Sequence, residues 1–195
     1  MLINTHMLMG RKIFENMDYD KKALIKETHF IWGNKPDCVS KYKLKKHYKD
    51  ESFIMIINKI EFLSNLSIKD LYTSYSINKF NQELGVICHF LCDYFCLPHN
   101  QRWEFKSANI VKEHLIYEKN LDKIAKEYNF TAEKNTEIKP TKVVEFLNEM
   151  LSEYESDSSY ENDLRYACYV CNTIMNMIIN NIIENEYKIR ISNNL

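Results

Sequence analysis

Two pairs of residues carry the chemistry worth asking about. His89 and Asp93 lie four apart inside the run Leu84 to Pro98 (LGVICHFLCDYFCLP), where they are the only strongly polar side chains. Residues four apart share one face of a helix, and a helix apolar nearly all round is a buried one. A lone carboxylate there would cost several kcal/mol unless paired or coordinated. His114 and Glu118 repeat the spacing on the stripe that carries Ile110, Val111, Leu115 and Leu121, away from the lysines. His6 lies with Gly10, Ile13 and Met17 on an apolar side, and His99 directly follows Pro98. Taken singly, each pair is as well explained by a buried His–carboxylate hydrogen bond. Their recurrence on inward faces favours a metal, because neutral imidazoles and carboxylates are standard ligands of Zn²⁺.

Helices must position these groups. The 195 residues are 45% hydrophobic and 27% charged, enough for one compact domain with a real core, taken as 1–195. Only three Gly and three Pro argue against a sandwich or barrel with frequent tight turns. Gly10, Gly33 and Gly85 are too far apart for a phosphate-cradling loop. A formal net charge of −1 supplies no global field for nucleic acid. Periodicity predicts helices over Thr5–Met17 (capped by Asn4 or Thr5), Asp50–Leu66, Ile77–Leu97 ending at Pro98, Ser107–Tyr128, Thr141–Tyr154 and Tyr160–Tyr187. Ser67 or Asp70 opens a further helical region, and His29–Pro36 reads as a loop punctuated by Gly33 and Pro36. Gly85 is expected to leave space beside the His89/Asp93 face. The expected fold is an all-α, multi-helix bundle with a metal cluster in a cleft.

The pattern His89-x3-Asp93-x5-His99, followed by His114-x3-Glu118, resembles the zinc-dependent phospholipase C family, which is related in fold to zinc-dependent single-strand nucleases. The resemblance reaches upstream: Gly33–Asp37 (GNKPD) is similar to the family's loop carrying an Asp ligand, with His47 and His6 as further matches. It implies that Asp37, His47, His89 and Asp93 hold one zinc and that His99, His114 and Glu118 hold a second with room for water. Asp93 would bridge to a third, bound by His6 and the amino end of Met1, which stands where family members expose a Trp. Two or three Zn²⁺ ions are thus implied. By the same resemblance Asp37 is the catalytic group that orients the nucleophile or takes its proton. The activity implied is phosphodiester hydrolysis by metal-activated water, on a phospholipid or another phosphodiester and with peripheral membrane contact. Alternatives are a nuclease or phosphatase of the same fold, with nucleic acid ranked behind lipid as partner, and a non-catalytic, metal-stabilised regulatory protein.

Other signals carry less. Cys88, Cys92 and Cys96 form a row read as core. Cys168-x2-Cys171 lacks a second CxxC or a following His pair. With Cys38, these thiols read as reduced. Lys41, Lys43, Lys45, Lys46 and Lys49, interleaved with Tyr42 and Tyr48, read as a solvated face before an anionic docking surface. His29 reads as a structural loop residue. No segment is apolar enough to span a bilayer. The opening residues show no basic region before an apolar stretch, which sets the expectation of a cytoplasmic protein.

Overall fold

The computed structural model describes residues 1–34, 47–103, 109–130 and 137–192. Ten α-helices and no strand occur among them. In chain order they are α1 (Ile3–Glu15), α2 (Tyr19–Lys22), α3 (Glu27–Gly33), α4 (Lys49–Ser64), α5 (Ile68–Thr73), α6 (Ile77–Tyr94), α7 (Leu97–Asn100), α8 (Ile110–Glu127), α9 (Val143–Tyr154) and α10 (Tyr160–Ser192). A 3-10 turn over Pro140–Lys142 leads into α9. The fold is all-α, as the periodicity predicts.

Helix α6 is the axis of the bundle. Every residue from Leu84 to Tyr94 is buried, and α1, α3, α4 and α10 all pack on it. Its contact with α3 is backbone against backbone. A Cβ on Gly33 would run into the Gln82 carbonyl, and one on Gly85 into the Phe30 carbonyl. The space beside Gly85 is therefore filled by α3 rather than left open. This also corrects the reading of His29–Pro36 as a loop: its described part is helical as far as Gly33. Gly33 stands at the end of that helix because only a residue without a side chain permits such an approach. On its other flank α6 meets α10 through Cys88, Cys92, Cys171 and Met175, all fully buried.

Helix boundaries follow local chemistry. Ser67 caps α5 in a reciprocal capping box with Asp70. Helix α1 starts at Ile3, with Leu2 rather than Asn4 or Thr5 at its N-cap, so Thr5 is free to donate from its hydroxyl to Asp122 of α8 at 3.0 Å. Pro98 does not end α6, which stops at Tyr94. It lies in the first turn of α7, where its missing N–H costs nothing. That break between two helices redirects the chain before His99. Helix α4 begins at Lys49 and ends at Ser64, where Asn185 of α10 donates to the Ser64 and Leu66 carbonyls, both at 3.0 Å. Helix α10 continues to Ser192, beyond the expected end at Tyr187. No described helix is long and apolar enough to cross a membrane.

Candidate metal centre

Four helices and the residue two before a fifth bring the chemistry together. Helix α6 supplies His89 and Asp93, α1 supplies His6, α7 supplies His99, and α8 supplies His114 and Glu118. His47 arrives just ahead of α4. Asp93 sits at the centre. Its Oδ1 lies 2.6 Å from the Met1 amino nitrogen, 3.2 Å from His6 Nε2 and 3.8 Å from His99 Nε2. Its Oδ2 lies 2.8 Å from His47 Nδ1 and 3.3 Å from His89 Nε2. The two imidazole nitrogens of His47 and His89 are themselves 3.0 Å apart. Glu118 Oε1 gathers the second group: the Met1 nitrogen at 2.9 Å, and His99 Nε2 and His114 Nε2 at 3.1 Å each. The structure therefore unites Met1, His6, His47, His89, Asp93, His99, His114 and Glu118. Asp37 and most of the lysine-rich segment (Lys41, Lys43, Lys45 and Lys46) lie outside the described residues, as does Cys38.

Exposure is graded across the cluster. The side chains of His6, His89 and Asp93 are 0–1% exposed and form a floor, whereas those of His47, His99, His114 and Glu118, at 11–15%, form an opening. His6 stacks on His89 with ring centroids 3.8 Å apart.

Burial and neighbouring charge set the protonation states. Burial, then the His89 ring, pushes His6 down to about 3. Burial and the Met1 amine lower His99 as well. Burial works against the Asp93 carboxylate, but the Met1 amine and the rings of His99, His6 and His89 outweigh it and hold Asp93 well below the usual range. Glu118 behaves alike: burial is overcome by hydrogen bonds from His114 and His99 and by the amine. Burial likewise opposes charge on the Met1 amine, but Asp93, Cys96 and Glu118 hold its pKa well above the ordinary value. Ionised carboxylates beside neutral imidazoles are the states in which both groups ligate metals.

The donor set fits zinc. A tetrahedral ion with N and O ligands at 2.0–2.1 Å spaces those atoms roughly 3.3 Å apart, close to the separations around Asp93 and Glu118. The Nδ1 atoms of His6 and His99 are buried without a hydrogen-bond partner among the described residues, which a purely structural network would not leave. His6, His89 and Asp93 place one ligand atom each within 4.8 Å of one another, and so do Cys96, His99 and Glu118.

Three features escape a reading of the sequence. Asn34 ties the floor together: its side-chain amide donates to the His6 carbonyl, and its own carbonyl accepts from His89 Nδ1 at 3.2 Å. That bond places the proton on Nδ1 and leaves Nε2 facing Asp93. A backbone acceptor leaves no trace in residue type. Cys96, read as core, is fully buried yet within reach of His99 and Glu118. Val111 and Leu115, expected to turn inward with His114, are 69% and 45% exposed. They lie on the surface of α8, within one turn of His114 and Glu118, instead of packing in the core.

A family model for zinc dependent phospholipase C matches residues 5–161. The chain belongs to the zinc-dependent phospholipase C family. The matched span contains His6, Asp37, His47, His89, Asp93, His99, His114 and Glu118, and it continues through α8 and α9 to the start of α10. The kinship thus extends past Glu118, where the recognisable ligand pattern stops, while Met1 lies before its first residue. No curated protein and no solved structure matches the chain. Membership makes the protein a hydrolase at the level of the family and implies zinc dependence.

Proposed function

We propose that this protein is a zinc-dependent phosphodiester hydrolase of the phospholipase C type. The observation that carries the reading is the convergence of two helical His/carboxylate pairs, His89/Asp93 and His114/Glu118, with His6, His47 and His99 on one buried cluster. Asp37, His47, His89 and Asp93 would hold one zinc; His99, His114 and Glu118 would hold a second; His6, Asp93 and the Met1 amine would hold a third. Zinc in such a site lowers the pKa of bound water to about 7 and stabilises charge on a phosphoryl oxygen.

The chain's own residues do the rest. Asn34 locks the His89 tautomer. Burial keeps His6 neutral, and the floor of His6, His89 and Asp93 excludes bulk water from one side of the reacting centre. The phosphodiester enters from the side of His47, His99, His114 and Glu118, the more exposed arc of the cluster. Asp37 is the proposed base for the attacking water. The exposed aliphatic side chains of Val111 and Leu115 border that arc on α8, which suits a lipid leaving group better than a nucleoside.

The test compares zinc-loaded protein on phosphatidylcholine vesicles and on single-stranded DNA under identical conditions. Release of a phosphorylated headgroup and diacylglycerol, abolished in Asp93→Asn, supports the reading. Cleavage of DNA alone would make the protein a nuclease of the same fold. Bound zinc with no turnover of either substrate would make it a metal-stabilised, non-catalytic member.

A further inference from the structure

Asp163, in the first turn of α10, is as deeply buried as Asp93 and belongs to no metal-ligand set. Three donors reach it from three other helices. The Tyr154 hydroxyl of α9 donates to Oδ1 at 2.7 Å. The Tyr117 hydroxyl of α8 donates to Oδ2 at 3.0 Å, and the Leu97 backbone N–H of α7 donates to the same oxygen at 3.3 Å.

Two of those donors are joined directly to the cluster. Tyr117 is the residue before Glu118. Leu97 is the first residue of α7 and stands two before His99. Cys96, the N-cap of α7, makes no side-chain capping bond, so the Leu97 N–H is satisfied from outside its own turn by Asp163. A carboxylate oxygen shared by the start of α7 and the middle of α8 fixes the distance between the elements that carry His99 and Glu118. Their ligand atoms stand 3.1 Å apart. The third donor, Tyr154, belongs to α9, which supplies no residue of the cluster. It packs against Phe95 and Tyr166.

We infer that Asp163 is a positioning residue that sets the spacing of His99 and Glu118 through the Leu97 N–H and the Tyr117 hydroxyl. This rests on the reading of His99 and Glu118 as metal ligands. Groups that orient ligands from outside the coordination sphere typically govern about 10–100-fold in metal affinity.

Tyr117 and Tyr154 provide a matched pair: each gives one hydrogen bond to the same buried carboxylate, but only Tyr117 continues to a ligand. Zinc is stripped from the full-length chain and restored in competition with a chromophoric chelator. The wild type, Tyr117→Phe, Tyr154→Phe and Asp163→Asn are compared by zinc affinity, by visible spectrum after cobalt substitution, and by urea midpoint without metal. Tyr117→Phe and Asp163→Asn are expected to weaken one bound metal by about 10–100-fold and to alter the cobalt bands. Tyr154→Phe is expected to lower the urea midpoint alone. Equal metal affinities in the two tyrosine variants, whether both weakened or both unchanged, overturn the inference while leaving the metal centre standing. Should Asp163→Asn fail to fold, the tyrosine pair decides alone. A wild-type chain that takes up no zinc overturns the metal centre and the inference together.

Discussion

Asp93 and Asp163 are both carboxylates removed from water, yet their surroundings push them in opposite directions. Around Asp93 stand an amine and four imidazoles, and the charged form prevails far below the ordinary range. Around Asp163 stand two phenols and one backbone N–H. Burial outweighs those neutral donors and raises its pKa to about 7. Neutral hydrogen bonds satisfy a carboxylate without stabilising its charge as strongly as cationic neighbours do. The contrast separates two jobs that a buried Asp can perform: holding a cation, and tying helices together. Tyr117 and Tyr154 pay the reciprocal cost, since burial and the nearby Asp163 push both phenols well above their ordinary value.

The largest break in that comparison is Asp93→Asn. An amide carries no charge to set against a cation, so zinc binding at the floor and phosphodiester hydrolysis should both be lost, as elemental analysis and turnover would register. Retained zinc in that variant would make Asp93 a structural group like Asp163.

Next in size is the seam that holds the floor. Gly85→Ala drives a methyl group into the Phe30 carbonyl of α3, and overpacking of this kind costs about 1–3 kcal/mol or more. Because Asn34 follows α3 and holds His6 and His89, the variant should lose zinc affinity together with thermal stability. Unchanged affinity would show that the floor is assembled independently of α3.

Opposite pH slopes sharpen the contrast further. With its folded pKa depressed, Asp93 contributes stability that is present above its unfolded value and lost as acid approaches the folded one. Asp163 runs the other way. Its folded pKa of about 7 exceeds the ordinary 3.8, so its penalty is absent in acid and grows as pH rises between those values. Metal-free Asp163→Asn should therefore show a flatter fall in melting temperature from pH 4 to 7 than the wild type. Parallel curves would mean that Asp163 keeps its charge.

The smallest effect belongs to Leu115→Ser at the opening. Nearly half exposed, it should shift stability within about 0.5 kcal/mol while reducing turnover on vesicles more than on a soluble phosphodiester. Equal turnover losses on both would remove the lipid-facing role of α8.

Much of the cluster is legible in residue type and spacing, because a histidine and a carboxylate four apart in an apolar helix leave few structural explanations. His89, Asp93, His114 and Glu118 come from that rule, and His6 from its apolar face. What holds them in place is harder to see. Asn34 acts through a carbonyl. Asp163 sits in the polar first turn of α10 beside Glu161, where an acidic residue is ordinary helix chemistry. Gly33 and Pro36 look like loop punctuation, yet Gly33 ends a helix whose backbone presses on α6. Pro98 looks like a terminator and instead starts α7. Val111 and Leu115 follow the apolar stripe of α8, but that stripe reaches the opening and remains uncovered. For Asn34, Asp163 and Gly33 the deciding fact is a contact between distant segments, which no local pattern encodes.

Zinc content per chain, measured by elemental analysis on protein purified without added metal, tests the central claim most directly. Two or three zinc ions in the wild type, with loss in Asp93→Asn, are predicted. A folded, zinc-free wild type that also refuses zinc on back-titration would reduce the cluster to a buried hydrogen-bond network and contradict the account.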